Sequence, residues 1–340
     1  MDGLPAQPPR ASQPSHHTQH IHITEHSMEA PSAPAGHLLG AADIRRIAAE
    51  AGVSPTKKFG QNFVIDPGTV RRIVREAGVT ASTPVLEVGP GLGSLTLAIL
   101  ETGASMTAVE IDPPLAERLP HTVAEFMPDV TAAGPARFDV ILRDALAVTP
   151  ADLPRFADSA PFRLVANLPY NVATPIVLTL LERFANLDGF LVMVQKEVAD
   201  RLSATPGSKI YGAPSVKLAW YGDAERAGVI GRNVFWPAPN VDSALVRFTR
   251  RDRFDEATRE ATFRLVDAAF GQRRKTLHAA LRGLVAPEAF AATGIDPTRR
   301  GETLLIGDFV ALAQAQARVQ AQTQAQAAED AGDDANGAIA

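Results

Sequence analysis

The sequence predicts an α/β fold with a doubly wound, mostly parallel sheet, followed by a small C-terminal domain that is all helical. Short apolar runs alternate with helix patterns between residues 85 and 194, as expected for parallel strands joined by crossover helices. Only helical signals fill residues 252–317, where Val266 and Phe270 share one face. With 340 residues, 46% of them hydrophobic, the chain can hold one large domain and a smaller one.

Composition divides the chain into four predicted segments. Residues 1–38 are rich in Pro, Ser, Ala and His without apolar periodicity, so we expect a disordered extension. Residues 39–251 form the predicted catalytic domain and residues 252–317 the helical domain. Residues 318–340 are rich in Gln and Ala and then acidic, and we expect a disordered tail. The His-rich first segment lacks the rigid spacing and carboxylate partners of a specific metal site, so no metal is expected.

Composition also limits the classes of function. The absence of Cys excludes disulfides, thiolate catalysis and Cys-ligated zinc, and it fits a reducing cytoplasm. No apolar run approaches the length of a membrane span, and no secretory signal is visible. The net charge of −5 hides a basic region, because residues 245–300 hold 12 Arg/Lys against 7 Asp/Glu while residues 301–340 hold 1 against 6. Nucleic acid therefore remains a possible partner.

A Gly-rich turn follows the first strand of the predicted sheet. The run Val85–Val88 leads into Gly89, Gly91 and Gly93, which allow a ligand to approach the main chain closely. The G-x-G-x-G spacing brings the third Gly one residue earlier than in the dinucleotide fingerprint, which suits a ligand without pyrophosphate, such as a nucleoside carrying an amino acid. The next strand ends at Glu110, whose carboxylate can accept two ribose hydroxyls. Together these features predict a nucleoside-type cofactor.

The next strands along the chain also end in polar residues. Asp144 follows the strand at 138–142 and either accepts an adenine amino group or caps a helix. A later strand ends in the motif Asn-Leu-Pro-Tyr at 167–170. Because parallel strands share a carboxyl edge, these residues should meet at one rim together with Gly89 and Glu110.

The Asn-Leu-Pro-Tyr motif offers what a planar amine needs. The side-chain oxygen of Asn167 and the carbonyl of Leu168 provide two acceptors, Pro169 stiffens the turn, and Tyr170 supplies a flat ring. Such a set suits a nucleobase removed from its stack. By itself, the motif equally fits a strand-ending turn with a half-buried Tyr.

Three other stretches carry candidate ligand contacts. A loop before the sheet holds cations and Asn62, which can hydrogen-bond a ligand or simply lie at the surface. An aromatic, Pro-stiffened loop begins at Phe235 and would either line the pocket or connect a hairpin. Three adjacent cations near a predicted helix start can grip phosphates, although such runs are often only solvated. The candidates for RNA contact are Lys57, Lys58, Phe235, Arg273, Arg274 and Lys275.

Taken together, these stretches closely resemble the bacterial small-subunit ribosomal RNA adenine dimethyltransferase family over roughly residues 41–312. The stretches that carry the resemblance are KKFGQNF (57–63), EVGPGLG (87–93), VEID (109–112), NLPY (167–170), QKEV (195–198), FWPAPNVDS (235–243) and FGQRRKT (270–276). The resemblance implies that the cofactor is S-adenosylmethionine, contacted at Asn62, Val64, Gly89, Glu110, Asp144 and Asn167. Val64 stands where the family usually has Leu, which matters little because that contact is chiefly through the main chain.

The resemblance also implies the reaction. Two methyl groups would go to N6 of each of two adjacent adenosines in a hairpin loop near the 3′ end of 16S rRNA, on an assembling small subunit. The Asn167 oxygen and the Leu168 carbonyl would accept hydrogen bonds from the amine, while Tyr170 stacks on the flipped base. Positioning and electrostatics would then replace a strong base. We expect a cytoplasmic monomer with a role in ribosome biogenesis.

Three alternatives stay open at this point. One is the large-subunit rRNA methylase of the macrolide-resistance type, although those enzymes usually carry Ile and often Phe in the Asn-Leu-Pro-Tyr positions. Another is an NAD-type oxidoreductase, which the G-x-G-x-G spacing disfavours. The third is an assembly factor that only binds RNA, against which the intact Asn167 and Tyr170 argue.

Overall fold

The described part of the chain is a mixed sheet with helices on both faces. The computed structural model describes residues 19–20, 37–54, 61–133, 136–157 and 160–337, with the side chains of 19–20 and 329–337 left out. The strands in chain order are β1 (Gln19–His20), β2 (Phe63–Val64), β3 (Val85–Val88), β4 (Met106–Glu110), β5 (Phe138–Leu142), β6 (Phe162–Asn167), β7 (Leu187–Gln195), β8 (Gly222–Ile230), β9 (Phe235–Trp236) and β10 (Ser243–Arg250).

The sheet confirms the predicted doubly wound fold. Its strand order is β1-β5-β4-β3-β6-β7-β10-β8, and the five strands from β5 to β7 run parallel. The chain reverses direction beside β3, from β4 and β5 on one side to β6 and β7 on the other. In open α/β sheets, ligands bind outside the carboxyl ends of the strands at such a reversal. Strands β10 and β8 extend the sheet antiparallel, and β2 pairs with β9 in a separate two-stranded ladder.

Helices cover the two faces of the sheet. Those that precede the C-terminal region are α1 (Ala41–Glu50), α2 (Pro67–Glu76), α3 (Ser94–Glu101), α4 (Pro113–Phe126), α5 (Pro128–Ala132), α6 (Ala173–Arg183), α7 (Lys196–Leu202) and α8 (Ala213–Tyr221). The apolar faces of α1 to α5 join one buried cluster, and those of α6 to α8 join another. Successive residues of β6 alternate between the clusters, with Leu164 in one and Val165 in the other, because strand side chains point to opposite faces.

The C-terminal region is helical, as expected from its sequence. It contains α9 (Arg259–Gly271), α10 (Leu277–Ala280), α11 (Pro287–Thr293) and α12 (Ile306–Gly337). Leu265 of α9 and Phe309 of α12 are buried in the same apolar cluster as α6 and α8. The predicted boundary at residue 252 falls just after β10, but the apolar core continues across it.

Both ends of the chain differ in part from the expected disorder. Leu38 and Leu39 are buried in the cluster that holds α1, so ordered structure begins within the segment predicted to be disordered. Gln19–His20 form an edge strand beside β5, while the rest of residues 1–36 lies outside the described residues. Helix α12 continues to Gly337, because the Gln/Ala-rich sequence after Val319 has high helix propensity.

Candidate active site

A cavity of about 240 Å³ opens at the carboxyl edge of the parallel strands. It lies where β3, β4, β5 and β6 end, next to the reversal in strand order. Its lining brings together every predicted cofactor-binding residue and the whole Asn-Leu-Pro-Tyr motif. The predicted residues that line it are Asn62, Val64, Gly89, Gly91, Glu110, Asp144, Asn167, Leu168, Pro169 and Tyr170.

The turn after β3 approaches its neighbours closely. Gly89 has φ +70° and Gly91 has φ +59°, values that L side chains rarely adopt. A Cβ atom added to Gly91 would lie 2.9 Å from Cε1 of Phe63, and one added to Gly89 would lie 3.7 Å from Cδ of Pro169. Both glycines line the cavity, where Gly91 packs tightly against Phe63 and Gly89 lies beside Pro169 of the Asn-Leu-Pro-Tyr motif.

Glu110, at the end of β4, is held by three main-chain donors. Its Oε1 accepts from the amides of Ile111 (2.8 Å) and Asp112 (3.0 Å), and its Oε2 accepts from that of Gly91 (3.2 Å). Burial raises the pKa of the Glu110 carboxyl, and the three N–H donors partly offset this rise. The carboxylate thus joins the end of β4 to the Gly-rich turn and faces the cavity with strong acceptors.

Glu87 is a second buried carboxyl of the site, which the sequence did not single out. It lies in β3, is 1% exposed and lines the cavity. Thr96 Oγ1 donates to its Oε2 at 2.6 Å. Burial raises the pKa of Glu87 to about 8, the bond from Thr96 lowers it, and the nearby Glu110 raises it further. The lining of the cavity therefore includes a carboxyl whose surroundings favour its protonated form.

Asp144 caps a helical turn, which is one of its two predicted roles. Its Oδ1 accepts from the amide of Leu146 at 2.9 Å and caps a short 3₁₀ turn at Ala145–Ala147. The residue is exposed and also lines the cavity. Because a carboxylate has two oxygens, the cap leaves acceptor capacity for a ligand amine.

The segment 61–65 contributes Gln61, Asn62, Phe63 and Val64 to the lining of the cavity and is bonded to neighbouring elements. Gln61 donates to Asp112 at 2.8 Å, and the main-chain oxygen of Val64 accepts from Ser94 Oγ at 2.6 Å. Its strand β2 pairs with β9, so it is also joined to the aromatic loop at residue 235. Sequence reasoning placed a ligand contact here but did not foresee the pairing.

The same segment orients Asn167. The Nδ2 of Asn167 donates to the main-chain oxygen of Asn62 at 3.1 Å. An amide whose nitrogen is bound in this way presents its oxygen elsewhere as an acceptor. Leu168 is buried, and its amide donates to Met193 of β7 at 3.0 Å, which fixes the turn after β6. The motif thus has one oriented side-chain acceptor beside a main chain that is anchored in the sheet.

Tyr170 is half-buried at the wall of the cavity. Its hydroxyl lies 3.0 Å from Oγ of Ser243, the first residue of β10. Burial raises the pKa of the Tyr170 hydroxyl, with the bond to Ser243 opposing. Tyr170 thus contributes a ring with a hydrogen-bonding tip to the cavity wall.

Phe235 does not line the cavity. It is 4% exposed and packs in the apolar cluster of α1 to α5, because its main chain is paired with Val64 in the β2–β9 ladder. Of the two alternatives given for this loop, the one in which Phe235 lines the pocket is therefore corrected. The neighbouring Trp236 is more exposed and stacks on Phe63, with ring centroids 6.3 Å apart.

The three cations at residues 273–275 have different environments. Arg273 Nε pairs with Glu302 at 2.8 Å and its Nη2 donates to the main-chain oxygen of Lys209 at 2.7 Å. Arg274 and Lys275 are exposed, and neither forms an ion pair with any other residue that the structure describes. Arg273 therefore links the C-terminal region to the loop before α8, while the other two face solvent. Lys57 and Lys58 lie outside the described residues.

Two negative observations apply to the described ranges. Within 37–54, 61–133, 136–157 and 160–337, no group of three or more His, Cys, Asp or Glu is placed to hold a metal ion. No helix in the described part of the chain is long and apolar enough to cross a membrane.

Comparison with known proteins shows which family the sequence matches. The family model for ribosomal RNA adenine dimethylase matches residues 53–317. A Bifidobacterium longum (strain NCC 2705) protein named ribosomal RNA small subunit methyltransferase A is 75% identical over 293 residues, which cover 82% of this chain and 94% of that protein. A protein of the same name from Streptomyces griseus subsp. griseus is 57% identical over 284 residues, with 82% and 94% covered.

Solved structures agree on the fold. The 23S rRNA methyltransferase ErmE is similar with a TM-score of 0.56 and 25% identity, and the match covers 75% of this chain and 99% of that one. A dimethyladenosine transferase from Plasmodium falciparum has a TM-score of 0.58 and 21% identity, with 74% and 95% covered. The second likeness supports the fold alone.

Proposed function

The chain belongs to the ribosomal RNA adenine dimethylase family, and we propose that it transfers methyl groups from S-adenosylmethionine to N6 of two adjacent adenosines in 16S rRNA of the small subunit. The observation that carries this proposal is the meeting of Asn167, Leu168 and Tyr170 with Glu110 and Asp144 around one cavity. Acceptors for an amine and acceptors for a nucleoside are thereby placed side by side.

The residues of the cavity suit the proposed cofactor. Gly89 and Gly91 line the cavity at positive φ, and without side chains they allow a ligand to approach the main chain of the turn. Glu110 offers carboxylate oxygens for ribose hydroxyls, and Asp144 offers an acceptor for an adenine amine. Asn62 and Val64 would contribute through the segment 61–65. When bound, S-adenosylmethionine supplies the methyl group on a positively charged sulfur.

The chemistry of the target amine falls to the Asn-Leu-Pro-Tyr motif. The lone pair of adenine N6 is delocalised into the ring, so the amine is a poor nucleophile. Hydrogen bonds from its N–H groups to the Asn167 oxygen and the Leu168 carbonyl would favour a pyramidal nitrogen with a localised lone pair. Because Asn62 and Met193 already fix these groups, little reorganisation accompanies the reaction. Tyr170 would stack on the extruded base.

The small-subunit substrate is favoured over the alternatives. The 75% identity to the B. longum small-subunit methyltransferase far exceeds the 25% identity to the 23S rRNA methyltransferase ErmE. An oxidoreductase is disfavoured because the proposed cofactor contacts suit a nucleoside without pyrophosphate. We further propose that the protein acts as a cytoplasmic monomer during ribosome biogenesis, with Arg274 and Lys275 contacting rRNA phosphates.

Radiolabelled methyl transfer tests the proposal. The purified chain is incubated with labelled S-adenosylmethionine and either undermethylated 30S or 50S subunits, and the rRNA is then digested to nucleosides. We expect dimethyladenosine from 30S subunits only. Label in 50S rRNA would favour the large-subunit alternative, and no label in either would favour a binding protein without methylase activity.

The variant Asn167→Ala links this activity to the cavity. Its methyl-transfer rate at saturating cofactor and 30S subunits should fall on the order of 100-fold, because an acceptor that strengthens in the transition state is lost. Asn233→Ala changes an exposed Asn that is not part of the cavity lining, and this control should retain the wild-type rate. Full activity in Asn167→Ala would remove this residue from the mechanism.

A further inference from the structure

Tyr170 and Ser243 form a hydrogen bond between two elements that are 73 residues apart in the chain. The two hydroxyl oxygens are 3.0 Å apart, and either can be the donor. Ser243 is fully buried, at 0% exposed. A buried hydroxyl is costly without a partner, so this pairing contributes to the local structure.

Ser243 is a fixed point in the sheet. It is the first residue of β10, which lies between β7 and β8, and its main chain pairs with Gln195 on one side and Ile230 on the other. The preceding residue, Asp242, accepts from the amide of Lys196 at 2.9 Å. The Oγ of Ser243 thus has little freedom to move.

The bond restrains a particular motion of Tyr170. The ring is attached at one end to the turn after β6 and is held at the other end by its hydroxyl. Because the hydroxyl lies on the Cβ–Cζ axis, the bond fixes the direction of this axis and not the rotation of the ring about it. The axis direction decides where the ring lies relative to Asn167, which is anchored separately through Asn62.

We propose that Ser243 is a positioning residue for adenine methylation, which sets the ring of Tyr170 at the place where the extruded adenine brings N6 to the Asn167 oxygen and the Leu168 carbonyl. This proposal rests on the proposed function. Ser243 does not touch the substrate in this role, because its side chain is fully buried and bonds to the hydroxyl of Tyr170. A base that stacks a fraction of an ångström away from these acceptors loses alignment for methyl transfer.

A double-mutant cycle between the two hydroxyls tests the role. Single-turnover methylation of undermethylated 30S subunits is measured for the wild type, S243A, Y170F and the double variant, at saturating cofactor. We expect each single variant to be about three- to tenfold slower, the size typical of one lost neutral hydrogen bond. The double variant should be no slower than the slower single one, since both hydroxyls act through the same bond.

Further variants and measurements separate positioning from folding. S215A removes another buried Ser hydroxyl, which bonds to Arg201 in α7, and should keep the wild-type rate. S-adenosylmethionine affinity and the thermal unfolding midpoint are measured for all variants, and we expect the affinity to be unchanged. Y170A should be slower than Y170F, because it also loses the stacking surface.

The outcomes distinguish this proposal from the proposed function. A wild-type rate in S243A, or losses that multiply in the double variant, would overturn the positioning role while the methylase activity stands. No methylation by the wild type itself would instead overturn the proposed function. Weakened cofactor binding in S243A would show that the residue acts on the cavity in general.

Discussion

Among single residues, the two buried carboxyls of the cavity differ most in their surroundings. Glu110 is held by three main-chain N–H donors, whereas Glu87 receives one side-chain hydroxyl. Donors to a carboxylate favour its charged form, and burial disfavours it. Glu110 therefore has more donors that favour its charged form than Glu87 has, while burial raises the pKa of both carboxyls.

The free energy of unfolding should depend on pH through Glu87. Its folded pKa of about 8 lies above the ordinary 4.5, so the folded state holds a proton that the unfolded state loses. The free energy of unfolding should therefore fall as pH rises from about 4.5 to about 8. Glu87→Gln has no titrating group at this position, so its free energy of unfolding should fall less over this pH window. Urea unfolding of the cofactor-free protein at both ends of the window measures the difference.

A control carboxyl checks this assignment. Glu117→Gln changes an exposed carboxyl on α4 and should keep the wild-type dependence on pH. Equal slopes for the wild type and Glu87→Gln would show that Glu87 ionises normally in the folded protein.

Cofactor affinity should depend on Glu110. Glu110→Ala should weaken S-adenosylmethionine binding by roughly 1–3 kcal/mol, because ribose hydroxyls lose a charge-assisted acceptor. The Gly91 amide also loses its partner, so the Gly-rich turn is less fixed. Titration calorimetry measures the affinity, with Glu117→Ala as an exposed control. Unchanged affinity would remove Glu110 from the proposed cofactor site.

At the scale of elements, the cavity depends on how the turn after β3 meets the segment 61–65. The ring of Phe63 packs directly over Gly91, and Ser94 at the start of α3 bonds to Val64. The turn, the helix start and the segment therefore form one unit. A change in any of them should alter the affinity for the cofactor.

The substitution Gly91→Ala tests this unit. An Ala at φ +59° costs about 1–2 kcal/mol in backbone conformation, and its Cβ also meets the Phe63 ring at 2.9 Å. Gly294→Ala is a matched control at φ +68°, with nothing within 4 Å of the added Cβ. We expect both variants to lose stability in thermal unfolding, and only Gly91→Ala to lose cofactor affinity in calorimetry. Equal affinity in the two variants would show that the contact with Phe63 does not shape the site.

Some of these strands could be predicted from the sequence and others could not. The strands β3 to β7 were predictable because each is a short apolar run between turn residues, and the polar residues at their ends follow from the rule for parallel sheets. The pairing of β2 with β9 was not predictable, because each strand is two residues long and the partners are far apart in sequence. The burial of Phe235 and its absence from the cavity follow from that pairing.

Across the whole molecule, the structure divides the cations of the basic region into those that form ion pairs and those that are exposed. The basic stretch 245–300 includes cations already engaged in ion pairs, such as Arg247 with Glu76 and Arg259 with Glu182. Arg273 also belongs to this class through Glu302. Sequence alone could not separate engaged cations from exposed ones, because the acidic partners come from distant elements. Only Arg274 and Lys275 of the original three therefore remain our candidates for phosphate contact.

The double variant Arg274→Glu/Lys275→Glu should weaken binding to 30S subunits and lower its dependence on salt. Each lost phosphate contact reduces the slope of log affinity against log salt by roughly 1, because fewer counterions are released. Arg45→Glu/Arg75→Glu makes the same change of net charge on the exposed sides of α1 and α2, which pack on the other face of the sheet. Binding is measured over a salt series, with S-adenosylmethionine affinity as a check that the cavity is intact. If both double variants lower the slope equally, binding responds to net charge, and the cations beside α10 have no special contact with rRNA.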